Sequence, residues 1–142
     1  METVTAGTLI VPDAGPGDPV AAQTALGDPN TRAQLRGMAL QVASWSGVSS
    51  PTTMRVVSAS DHQDAATVLS GAIVNDHTPV YVITMTGGPF TANHHPPGAP
   101  APQGNVLTLT LDAATLRVTD IGYVDAEPNL SLIGQAPMNL AQ

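Results

Sequence analysis

The run from Pro79 to Val124 leaves few folds open to this chain. From Pro79 to Thr86, Val80, Val82, Thr84 and Thr86 alternate with Tyr81, Ile83 and Met85. Strand side chains point to opposite faces with a period of two, so the alternation predicts a β-strand. Val106 to Leu111 repeats it, with Leu107, Leu109 and Leu111 on a buried side and Thr108 and Thr110 on a side expected to be wet. After the turn Asp112 to Leu116, Arg117 to Val124 reads as a third strand. Such alternation fits an antiparallel meander with one covered face. The segment Gly87 to Gly104, rich in Gly, Pro, Asn and His, is expected as a long loop and the place to look for a contact site.

Helical signals precede the meander. Asp28 suits an N-cap and Pro29 the first helical position, where a missing N–H costs nothing. Leu35, Met38, Val42 and Trp45 follow as one apolar stripe, with Arg32 and Arg36 one turn apart on another face. Gly47 is placed to end the helix in the left-handed conformation. Met54 to Ala59 reads as a short strand. A second helix is expected from the Ser60/Gln63 capping box, burying Ala65, Val68, Leu69, Ala72 and Ile73. Residues 1–27, with Pro12, Gly15, Pro16, Gly17 and Pro19, read as a flexible leader. Residues 28–134 are expected as one domain, and 135–142 as a C-terminal tail. The reading is α+β: a small antiparallel sheet of about four strands with two helices on one face.

Composition removes several functions. The chain has 142 residues, enough for one domain with a real core. Only 3% of residues are aromatic, so Val, Leu, Ile, Ala and Met must build that core. The net charge is −7, from 11 acidic residues and four arginines (Arg32, Arg36, Arg55, Arg117). No basic patch is available to neutralise phosphates, which argues against nucleic acid as a partner. Without cysteine, disulfides, thiolate catalysis and Cys-ligated metals are excluded. No run of about 18 apolar residues is present, so no transmembrane segment is expected. Residues 1–10 lack the pattern of a signal peptide, which fits either a cytosolic chain or a mature form carrying an added Met1.

Motifs for chemistry are weak. Asn93-His94-His95 in the long loop is the most distinctive group, and with a carboxylate it is a weak candidate for Zn, Ni or Cu. Adjacent imidazoles point apart in an extended chain, so a third ligand would have to approach. His77 with Asp76, or His62 with Asp61 and Asp64, are the groups to watch. None has an established metal spacing. No G-x-S-x-G elbow marks a nucleophilic serine. Asp61 and Asp64 sit where a helix start favours negative charge, and Asp125 and Glu127 at a strand exit. Gly87-Gly88 lacks the Lys of a phosphate loop and reads as a strand end or bulge. Phe90 beside it is either a core plug or an exposed contact.

Pro-Val-Tyr-Val-Ile-Thr-Met-Thr-Gly at 79–87, Pro97-Gly98-Ala99-Pro100, Pro102-Gln103-Gly104, and Leu-Thr-Leu-Asp-Ala-Ala-Thr at 109–115 carry a resemblance. They resemble uncharacterised secreted or lipid-anchored proteins of high-GC actinobacteria with a distantly PepSY-like domain. The resemblance spans roughly 28–134 and implies a PepSY/cystatin-like fold and an extracytoplasmic location, secreted or cell-envelope. It carries over no catalytic residue. Such hairpins usually place Gly after Asp-Ala-x-Thr, in a positive-φ turn position. Leu116 stands there instead, so either the turn is strained or its geometry differs.

The function expected on these grounds is a non-catalytic binding or accessory module, without a cofactor, as a monomer or weak oligomer. Phe90, Asn93, His94 and His95 would form its contact surface. The alternative is a small metal-binding protein or enzyme centred on His94 and His95. An inhibitor-like role, by PepSY analogy, is a third reading.

Overall fold

The computed structural model describes residues 19–92 and 101–140. The elements run α1 (Pro19–Ala25), α2 (Pro29–Trp45), β1 (Thr53–Ala59), α3 (His62–Leu69), β2 (Val80–Thr91), β3 (Gln103–Asp112), β4 (Val118–Val124) and β5 (Gln135–Asn139). The α+β reading holds, with one antiparallel sheet in the order β4-β3-β2-β1-β5. The 79–124 stretch forms the expected meander. The sheet is one strand wider than expected, because 135–139 is no tail. It pairs with β1, and Leu140 behind it is buried in the core.

The α2 start follows its sequence signal. The Asn30 N–H donates to Asp28 Oδ1 at 2.9 Å, with Pro29 next to the cap. Gly47 takes φ 92 just past the helix end, as expected. Leu35, Met38, Ala39, Val42 and Ala43 face the sheet. Trp45, expected on that stripe, is 44% exposed. It sits at the stripe's margin, where Ala39 and Ala43 already let the helix approach the sheet.

The folded part begins before residue 28. Residues 19–25 are helical, and Ala22 and Leu26 join the core under α2. The Tyr81 hydroxyl donates to the Ala22 carbonyl at 2.8 Å, and Arg32 donates to the Leu26 carbonyl at 2.8 Å. Burial pushes the Tyr81 pKa up to about 12, so the phenol stays protonated and keeps donating. Residues 1–18 of the expected leader lie outside the described residues.

Helices cover both faces of the sheet, not one. Met54, Val56, Tyr81, Ile83, Met85, Leu107, Leu109 and Leu111 pack beneath α1 and α2. Val57, Ala59, Val80 and Val82 point the other way and pack with Ala65 of α3, Leu69, Leu130 and Ile133. Stepwise alternation in β1 breaks at Val56-Val57, both buried, because each face has its own cover.

That second cover follows from topology. β4 and β5 lie at opposite edges, so residues 125–134 must cross the sheet. This strap lies on the α3 side. The Thr84 hydroxyl donates to Glu127 Oε2 at 2.9 Å, and Arg55 Nη1 lies 3.8 Å from Glu127 Oε1. Leu130 fills the space over Val57, and Asn129 Oδ1 accepts the Ser131 N–H to turn the chain. Gly134 passes so close to the Ser58 carbonyl oxygen that an added Cβ would clash with it. Thr84, Thr108 and Thr110 are therefore buried, where the pattern of β3 suggested a wet face.

Two loops also differ from expectation. β2 continues through Gly87, Gly88 and Pro89 as a register-shifting irregularity, then pairs again as Phe90 with Gly104 and Thr91 with Gln103. The bulge reading of Gly87-Gly88 holds, and the connection shrinks at both ends. At Asp112–Leu116 the turn is as read. Asp112 Oδ1 accepts the N–H groups of Ala114 and Thr115, and Leu116 adopts φ 59.

Candidate functional site

Among the described residues, side-chain chemistry concentrates at the start of α3. Asp61 caps the helix, its Oδ1 accepting the Asp64 N–H at 3.1 Å. It replaces Ser60, the expected cap. The helix is two turns long and stops at Ser70. Ala72 and Ile73 fall outside it, and Ile73 points to solvent. Gln63 is released from the capping box and clamps the returning chain. Its Oε1 accepts from Val74 N (2.8 Å) and Asn75 N (3.1 Å), and its Nε2 donates to the Ala72 carbonyl (2.9 Å). The free amides at the helix start are used as well. His62 N donates to Thr78 O at 2.9 Å, and Gln63 N to Asp76 O at 2.8 Å.

This clamp lays the dipeptide Asp61-His62 beside the dipeptide Asp76-His77, and the two pair crosswise. His62 Nδ1 lies 2.8 Å from Asp76 Oδ2, and His77 Nδ1 lies 2.9 Å from Asp61 Oδ2. The expected groupings, His77 with Asp76 and His62 with Asp61 and Asp64, are therefore exchanged. The second His62 nitrogen, Nε2, meets Asp120 Oδ2 of β4 at 2.5 Å. Asp120 arrives there because it pairs with Thr110 on the face that α3 covers. Thr78 Oγ1 and Thr119 Oγ1 complete the shell, donating to Asp76 Oδ2 and Asp120 Oδ2.

His62 is 5% exposed, while Asp76 and Asp120 reach solvent on their outer sides. Burial by itself disfavours the charged ring and pushes its pKa down. The hydrogen bonds to Asp76 and Asp120, and the charges of both, outweigh that and set it above the ordinary value. The imidazolium fits this position because both of its nitrogens donate. In return, the bond from His62 holds Asp76 below the usual carboxylate range, against a smaller opposing effect of burial. Burial acts upward on Asp61, yet its bonds to His77 and to the Asp64 amide bring it below that range. Depressed carboxylates stabilise the fold above their unfolded value near 3.8, and that contribution is lost as pH falls through the lowered values. Thermal unfolding followed by circular dichroism should show melting temperature dropping below about pH 4, and Asp76→Asn should flatten that limb.

Of the residues expected to form the contact surface, Phe90 alone is among those described. Phe90 is fully buried among the core residues beneath α2, so it is the core plug of the two readings and no surface contact. Asn93, His94 and His95 lie outside the described residues. No cluster of three or more His, Asp or Glu side chains that could hold a metal ion occurs among the described residues. No described helix is long and apolar enough to cross a membrane.

A second feature, which sequence reading did not single out as a site, lies between α2 and β5. Pro29, Arg32 and Arg36 of α2 face Asn139 and Leu140 across a cleft of about 210 Å³. Arg32 and Arg36 are half-buried, and the bond from Arg32 to Leu26 steadies that guanidinium. The signal was present as the one-turn spacing of two of only four basic residues. What it lacked was β5, without which the cleft has no second wall. No protein-family model, curated protein or solved structure matches the chain.

Proposed function

We propose that this chain is a non-catalytic binding or accessory module of the bacterial cell envelope, and that it holds an anionic group in the Arg32/Arg36 cleft. The observation that carries this reading is the convergence of two half-buried arginines on one cleft in a chain of net charge −7. A guanidinium has five donors, and Arg32 spends one on Leu26. The planar fork matches a carboxylate or phosphate, and Asn139 lines the rim of the cleft. The non-catalytic part is supported by the state of His62. Both ring nitrogens are engaged by carboxylates, so neither is available to take a proton from a substrate. The envelope location rests on the resemblance of residues 79–115 to secreted actinobacterial proteins.

Calorimetric titration with succinate and with inorganic phosphate tests the cleft. Saturable binding by at least one anion is expected, weakened at least tenfold by Arg32→Ala/Arg36→Ala and by raised salt. The relative affinity of the two probes separates carboxylate from phosphate recognition. Absence of saturable heat with both probes, in a folded protein, would remove this reading.

A further inference from the structure

The His62 cluster joins three segments that are otherwise weakly connected, independently of the cleft. α3 has eight residues, too few to be stable without tertiary support. Its apolar attachment is small: Ala65 and the partly buried Leu69 against Val57, Ala59, Val80 and Val82. Residues 71–79 behind it contain no helix or strand and are held by Gln63 and by His62 itself. Across the gap stands β4, an edge strand, offering Asp120. His62 is the side chain that ties all three together.

We propose that His62, Asp76 and Asp120 form a proton-dependent latch that locks α3 and the 71–79 segment onto the β4 edge. In the locked state the imidazolium donates one N–H to each carboxylate. Loss of a proton leaves one ring nitrogen with a lone pair facing a carboxylate oxygen, and one arm of the latch turns from attractive to repulsive. Among the described residues, the ion-pair partner of both Asp76 and Asp120 is His62. The 71–79 segment brings Asp76 and His77, and His77 is already paired with Asp61. α3 itself adds Asp61 and Asp64, β4 adds Asp120, and β3 presents the uncharged Thr110 beside it. Release lifts α3 from the sheet and uncovers Val57, Val80 and Val82, while the α1/α2 face stays packed.

The direction is set by linkage. The ring in the locked state has the higher pKa, so the latch is fully closed below the free-histidine value near 6.5. Opening grows as pH rises from there through the raised value, by up to about tenfold per pH unit, and levels off above it. Hydrogen exchange resolved by NMR, corrected for intrinsic base catalysis, reads this directly in the wild-type protein. Amides of residues 62–65 and 76–78 should lose protection across that window, in step with the ring ¹⁵N titration of His62. Amides of β2 and β3 should not. Asp120→Asn removes one arm and should shift both the ring titration and the opening curve to lower pH. His62→Gln, if it folds, should show opening with no pH dependence. A ring that titrates below 6.5, or protection at 62–65 that stays flat while the ring titrates, would overturn the latch.

Discussion

Phe90→Ala will destabilise the protein by about 3–5 kcal/mol, the range for truncating a fully buried aromatic and leaving its cavity. Phe90 is 0% exposed and lies in the core with Leu35, Met38 and Leu107. It pairs with Gly104 across the β2–β3 ladder. Against a typical total stability of about 5–15 kcal/mol, the loss is a large share of the whole. The prediction also separates two roles for the chain's only phenylalanine. A surface contact residue changes stability by about 0.5 kcal/mol or less when truncated. Urea unfolding of Phe90→Ala beside Trp45→Ala gives the comparison. Trp45, 44% exposed, should show a smaller change. An unchanged urea midpoint for Phe90→Ala would mean that the ring does not fill the core.

Leu116→Gly should also destabilise, although it removes backbone strain. At φ 59 a leucine costs about 1–2 kcal/mol, which glycine would recover. The side chain, however, is only 6% exposed and packs in the core beneath α1 and α2. Truncating a buried leucine costs about 2–5 kcal/mol, so burial outweighs strain and a net loss of about 2 kcal/mol is expected. Leu116→Ala keeps the unfavourable conformation and loses most of the packing, so it should be worse than Leu116→Gly by about 1 kcal/mol. The order wild type, Gly, Ala in chemical unfolding tests both components. A glycine variant more stable than wild type would show that the turn gains nothing from the leucine side chain.

Leu116 also shows which parts of the fold were legible. Its departure from the usual hairpin glycine was visible in sequence, and so was Asp112 as the turn's acceptor, because turn chemistry is local. The β2–β4 strands were legible for the same reason, since alternation within each is local and the β3–β4 turn is short. Residues 135–139 carry too little alternation to be recognised, since they are specified by pairing with β1 far away in the chain. Missing β5 hid the strap, and missing the strap left Thr108 and Thr110 assigned to water. The site was half visible. Two Asp-His dipeptides stand at 61–62 and 76–77. Their crosswise pairing depends on Gln63 folding the chain back, and Asp120 enters only through the register of β4 on β3.

The pairing of β5 with β1 has a consequence for the order of assembly. Arg55 meets Asn139 and Val56 meets Met138, so one of the two contacts that flank β1 depends on residues far downstream of it. Until β5 pairs, a growing or truncated polypeptide holds β1 as a bare edge, its backbone donors and acceptors open to another strand. Pairing across so large a sequence separation raises contact order, which slows folding compared with the local pairing of the meander. β5 is thus the piece that closes the otherwise open edge of β1.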